Sequence, residues 1–119
     1  MAKSYLVVSQ ESGVTVATLR TASLVDELII ESVGKELFAL VDERAVMKLM
    51  VDFRAVGFLS SQMIGVLISL QKKSRGIKGE LVLVGMRPNL KKIFEITKLD
   101  KILIFAKDQA DGMSKFKAF

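Results

Sequence analysis

Two adjacent hydroxyls, Ser60 and Ser61, stand between an apolar run ending at Asp52-Phe53 and a second apolar run beginning at Met63. A strand, a short connection and a helix start in that order leave unpaired backbone N–H groups at the helix mouth. The helix dipole adds partial positive charge there. Such a place suits a phosphate, either bound as a ligand or carried covalently by a serine. The plainer use of a serine at that point is to cap the helix, accepting an N–H bond worth about 1 kcal/mol. Both uses stay open on the residues alone. Ser61, Gly65 and Ser69 then follow at i, i+4 and i+8, a line of small side chains on one side of the helix. That line either lets another surface approach the backbone or lets the helix pack tightly on its own sheet.

Other chemistry finds little material. The chain has no Cys and no His, so the usual zinc and haem ligands, thiol nucleophiles and imidazole bases are missing. No metal, cofactor or disulfide scaffold is expected. A phosphate loop needs glycines leading to Lys-Ser/Thr, and a dinucleotide fold needs Gly-x-Gly-x-x-Gly; neither pattern occurs. Ser61 lacks a Gly-x-Ser-x-Gly elbow and any histidine to take its proton. Asp52 is a lone carboxylate with no evident second acid. No catalytic constellation emerges, and the chain reads as a non-enzyme.

The elements that would hold Ser60 and Ser61 follow from periodicity. Tyr5–Gln10 and Val14–Leu19 are β-rich runs split by Glu11-Ser12-Gly13, a hairpin signal with Gly13 free to take a positive φ. Ser23, ahead of Asp26 and Glu27, is the expected N-cap of a helix ending near Glu43-Arg44, with Ile30, Val33, Leu37, Leu40 and Val41 as its apolar stripe. Val46–Phe53 reads as a strand buried on both faces. A second helix is expected from about Ser61 to Ser74, closed by Arg75-Gly76 with Gly76 left-handed. Gly79–Val84 is a further strand, Pro88 opens a helix with Leu90, Ile93 and Phe94 on one side, and Ile102–Phe105 is the last strand. Asp108 opens a weak final helix bearing Ala110, Met113 and Phe116. The order β-β-α-β-α-β-α-β-α predicts an α/β fold with a mixed, mostly parallel sheet.

At 119 residues, half of them apolar, the chain suits one compact domain spanning 1–119. The start lacks a secretory pattern, and Met63–Leu70, interrupted by Gly65 and Ser69, is far shorter than the roughly 20 residues of a membrane span. A soluble, cytoplasmic protein is expected. The net charge of +5 is uneven: residues 1–69 carry six Lys/Arg against eight Asp/Glu, and residues 70–119 carry twelve against five. A basic half admits a nucleic-acid or acidic partner, but one tyrosine and no tryptophan leave little for base stacking.

The segment Val51-Asp52-Phe53-Arg54-Ala55-Val56-Gly57-Phe58-Leu59-Ser60-Ser61-Gln62-Met63-Ile64-Gly65 resembles the central motif of STAS domains, the bacterial anti-sigma-factor antagonists. That motif is a strand ending Leu/Val-Asp-Leu/Phe, an aromatic-hydrophobic pair, then Asp-Ser-Ser-Gly-Leu-Gly opening a helix. The resemblance extends through the N-terminal hairpin, Glu36-Leu37, Gly79–Val84, Pro88 and Phe94-Glu95-Ile96-Thr97-Lys98-Leu99. It implies a switch protein that binds a serine-kinase anti-sigma factor and is released when the kinase phosphorylates the motif serine. The matching position is Ser61, with Ser60 as second choice. Ser60, Ser61, Gln62, Met63, Gly65 and Ser69 are the expected partner-facing set. The chain departs from the motif at Ser60 (aspartate), Gln62 (the second serine) and Met63 (glycine), and no aspartate matches the family's usual one around Thr21 to Leu24. The resemblance also implies an alternative: a constitutive scaffold or accessory subunit of a sensory assembly or transport system.

Overall fold

The structure is a computed structural model that describes residues 4–116. Its elements are β1 (Leu6–Glu11), β2 (Val14–Leu19), β3 (Ser23–Leu24), α1 (Glu27–Asp42), β4 (Lys48–Asp52), β5 (Phe58–Leu59), α2 (Ser61–Gly76), β6 (Glu80–Val84), α3 (Pro88–Ile96), a 3-10 turn (Leu99–Lys101), β7 (Ile104–Ala106) and α4 (Gln109–Met113). The main sheet runs β1-β2-β4-β6-β7. Its first pair is antiparallel and the other three are parallel. The mixed, mostly parallel α/β fold expected from the alternation of elements is what forms.

The β1–β2 hairpin turns on Ser12 (φ 49°) and Gly13 (φ 81°). Two successive positive φ values match the right-handed twist of the flanking strands. The sheet then separates two apolar layers. Ala17, Leu19, Leu49, Val51, Leu81 and Leu83 face the helices, against Ile30, Val33 and Leu37 of α1 and Met63, Leu67 and Leu70 of α2. Val14, Val16, Met50, Val82 and Val84 face the other way, where Met113 and Phe116 pack on them. β4 is buried on both faces because helices cover one side and the C-terminal segment the other. Gly112 brings α4 onto that second face: a Cβ there would stand 2.6 Å from Val84 Cγ1 and 2.8 Å from Met50 Cε.

Several expectations need correction. The α1 stripe is buried as expected, but its N-cap is Asp26, not Ser23. The Asp26 carboxylate accepts from the Leu28 and Ile29 N–H groups at 2.8 and 3.2 Å, whereas Ser23 is drawn into β3, which pairs in parallel with β5. Gly76 stays helical and Lys78 takes the left-handed conformation instead (φ 61°). β4 is shorter than Val46–Phe53, and β7 lies two residues later at its start than expected. Ile93 and Ala110 turn outward. Among the described residues no helix is long and apolar enough to cross a membrane.

Candidate functional site

The site is the mouth of α2, and the chain reaches it through a loop closed from below by Asp52. This carboxylate is fully buried at the end of β4. It accepts the Arg54 backbone N–H and Arg54 Nε–H, both at 2.9 Å, and the Gln109 Nε2–H at 2.8 Å. A buried carboxylate requires such donors. They fold residues 53–55 into a turn and tie it to the start of α4. Asp52 is therefore a structural clamp.

Past the turn, Gly57 and Phe58 donate their N–H groups to the Ala22 carbonyl at 2.7 and 3.2 Å, and Ser60 donates to the Leu24 carbonyl at 3.0 Å. These bonds make the small β3–β5 ribbon, with Ser23 opposite Phe58 and Leu24 opposite Leu59. Strand alternation then sorts the side chains. Leu24 is buried and Leu59 half-buried, while Phe58 and Val25 point outward, 66% and 54% exposed.

Ser60 is the N-cap of α2, in extended conformation, its Oγ accepting the Met63 N–H at 3.4 Å. Ser61 is the first helical residue and is exposed, as is Gln62. Ile64 donates to the Ser60 carbonyl at 3.2 Å, but the N–H groups of Ser61 and Gln62 have no partner among the described residues. No acidic residue occupies the first turn, and Lys73 and Arg75 sit in the last. The charge pattern along α2 leaves its positive end unneutralised.

The line Ser61, Gly65, Ser69 faces solvent. A Cβ on Gly65 would meet nothing within 4 Å, so the stripe does not serve packing of α2 on its own sheet. The close approach inside the molecule is made by Gly34 of α1, 3.6 Å from Val66 Cγ2 at the position of a Cβ. Met63, expected among the partner-facing residues, is instead fully buried. Two positions after Ser61 on a 3.6-residue period lies the core side, so Met63 belongs to the interior.

Periodicity alone missed a set of exposed apolar side chains beside the serines. Gly34 meets Val66, and Lys73 Nζ bonds Asp42 Oδ2 at 2.8 Å. Both pairs show α1 and α2 running side by side in the same direction, offset by about thirty residues in sequence. The first turn of α1 therefore lies level with the mouth of α2. Leu28, on that turn, is 76% exposed. With Val25 and Phe58 it gives the end of the molecule an apolar rim around two helix N-termini. Phe58 had a sequence signal, since it sits in the aromatic-hydrophobic pair of the motif. Val25 and Leu28 had none.

Comparison with known proteins places this arrangement. The STAS domain model matches residues 5–111. A Bordetella bronchiseptica protein, BtrV, named as a proposed anti-sigma factor antagonist, is 27% identical over 112 residues, 94% of each chain. An anti-sigma-factor antagonist (STAS) domain protein from Planctomyces limnophilus superposes with a TM-score of 0.80 at 20% identity, over 95% of this chain and 98% of that one. The phosphorylated form of the Bacillus cell fate determinant SpoIIAA superposes with a TM-score of 0.68 at 17% identity, over 88% and 94% of the two chains. With its motif at the mouth of α2 and the family model spanning nearly the whole chain, this protein belongs to the STAS domain family and has the fold of anti-sigma factor antagonists.

Proposed function

We propose that the chain is an anti-sigma-factor antagonist that docks a serine-kinase anti-sigma factor with the mouth of α2. Phosphorylation of Ser61 by that kinase ends the docking. One observation carries the reading: Ser61 is exposed at a helix start with free N–H groups, inside a rim of exposed Phe58, Val25 and Leu28. A phosphate there adds about −1.5 to −2 charge. The free amides and the helix dipole tolerate it, so the fold survives. An apolar partner surface pressed on the rim would have to desolvate that charge, which opposes docking. The protein acts by binding and release.

Ser60 ranks behind Ser61 as acceptor because its hydroxyl is half-buried and engaged as the cap. Ser61, Gln62, Gly65 and Ser69, all exposed, remain the expected contact residues, with Ser60 at their edge. The phosphorylated form of SpoIIAA supports the reading by analogy of fold.

The test is incubation with the cognate kinase and ATP, followed by intact-mass analysis. The wild type is expected to gain one phosphate and Ser61→Ala none. An unmodified wild type, or an undiminished phosphate on Ser61→Ala, overturns the switch. Co-purification with a membrane transport or sensory assembly instead of a soluble kinase would favour the scaffold role.

A further inference from the structure

The two edges of the main sheet are finished differently. At one edge, β7 has three residues, Ile104–Ala106, with Lys101 and Lys107 on either side of it in the chain. Short strands and nearby lysines are devices that keep a sheet edge from pairing with another chain. The opposite edge, β1, has neither. Leu6–Glu11 contains no Lys, Arg, Pro or Gly, and its register with β2 runs unbroken from Leu6↔Leu19 to Glu11↔Val14. Past Leu6 every residue of the strand is exposed, Val7 at 44% and Val8 at 39%.

The hairpin decides which backbone groups of β1 face outward. Its two-residue turn makes Glu11 and Val14 a hydrogen-bonded pair, and such pairs recur at every second residue. Ser9 and Val7 therefore bond to β2. The Arg20 N–H, donating to the Tyr5 carbonyl at 2.8 Å, keeps the same parity. Leu6, Val8 and Gln10 turn their N–H and C=O groups away from the sheet. Leu6 is answered locally, since Ser4 Oγ lies within hydrogen-bond distance of its N–H (3.2 Å) and its carbonyl (3.1 Å). Val8 and Gln10 keep two donors and two acceptors without a partner among the described residues.

That set is complementary to itself. When a second β1 lies antiparallel, with Ser9 of one copy facing Ser9 of the other, Val8 meets Gln10 and Gln10 meets Val8. Each of these two pairs exchanges both of its bonds, so every outward group of Val8 and Gln10 is used. Val7 then faces Glu11, and no like charges are opposed. The geometry points to a symmetric homodimer in which two copies of β1 pair antiparallel about Ser9, joining two five-stranded sheets into one. Such an isologous contact closes on itself at two chains. An extended segment of another protein is the other occupant of a sheet edge, but only a second copy is certain to bring the matching groups in this order. Pairing along one short strand buries less than the roughly 1,600 Å² of a standard interface, so the dimer is weak, with a Kd on the order of 0.1 mM.

The chain has no cysteine, so single cysteine variants report the pairing and its register. At the two-fold axis the two residue-9 Cα atoms stand about 4.5 Å apart, the spacing of a non-hydrogen-bonded pair, which a disulfide spans. Under mild oxidation Ser9→Cys is expected to form a covalent dimer. Val7→Cys, whose two copies lie about 14 Å apart along the strands, is expected to form far less. In sedimentation equilibrium at about 1 mM the wild type is expected to be mostly dimer. Gln10→Pro removes an outward N–H and leaves the bonds to β2 in place, so it is expected to be a monomer with the circular dichroism of the wild type. The inference is overturned by a wild type that stays monomeric at that concentration, or by equal cross-linking of the two cysteine variants. A folded Gln10→Pro that dimerises like the wild type also overturns it. The outcome does not depend on the role of Ser61.

Discussion

Ser60, Ser61 and Asp52 lie within ten positions of one another and do three different jobs. Ser60 closes the helix, Ser61 stands free in front of it, and Asp52 holds the loop that delivers both. Ser60→Ala should therefore cost about 1 kcal/mol of stability, the value of a lost cap, read from urea unfolding. Asp52→Ala should cost more, about 2 kcal/mol, because it removes the three hydrogen bonds that hold the turn and tie it to α4, the Arg54 side chain itself being exposed to water. If Asp52→Ala unfolds at the wild-type urea midpoint, the clamp has been misread. Ser61→Ala, by contrast, removes an exposed hydroxyl with no bond in the fold and should leave the midpoint in place. The place of Asp52 at a strand end could be read from the sequence, but its role as a clamp could not. The clamp depends on Gln109, 57 residues away, and nothing local marks that pairing.

Among the elements, α2 shows which parts of a sequence speak for themselves. The 3.6-residue period of α1 identified its buried stripe, and the near-continuous apolar run of β4 identified a strand covered on both sides. The β3–β5 ribbon was invisible, because two-residue strands have no period and are created by pairing across the chain. That ribbon turned Ser23 from an expected cap into a strand residue and turned Phe58 and Val25 outward. The Ser61, Gly65, Ser69 stripe could be seen but not oriented until Gly65 proved open to solvent. Gly65→Leu should accordingly keep the fold, with stability unchanged or raised by up to about 1 kcal/mol on helix propensity. The same change should weaken partner binding about tenfold or more by holding the other surface off the helix. Phe58→Ala should likewise spare stability, being largely exposed, while costing about 2 kcal/mol of docking energy, as the loss of an aromatic anchor at an interface does. Calorimetry against the partner, beside thermal unfolding of the free variants, separates the two effects. Partner affinity unchanged in both variants would place the docking surface elsewhere.

For the whole molecule, the parallel packing of α1 and α2 is the organising fact. It gathers two helix N-termini and an exposed apolar rim at one end, while the second sheet face is closed by Met113 and Phe116. A phosphate added at Ser61 enters that end without touching the core, so the fold and the docking surface should respond independently. The direct measurement is the affinity of the cognate kinase-type anti-sigma factor for the unmodified and the Ser61-phosphorylated protein, with thermal unfolding recorded on both. The unmodified protein is expected to bind, and the phosphorylated protein to bind about a hundredfold more weakly or worse, as an uncompensated charge at an interface should cause. Its unfolding transition should stay within a few degrees of the unmodified one. Equal affinity of the two forms, or an affinity lost only because the phosphorylated protein has unfolded, would contradict the account.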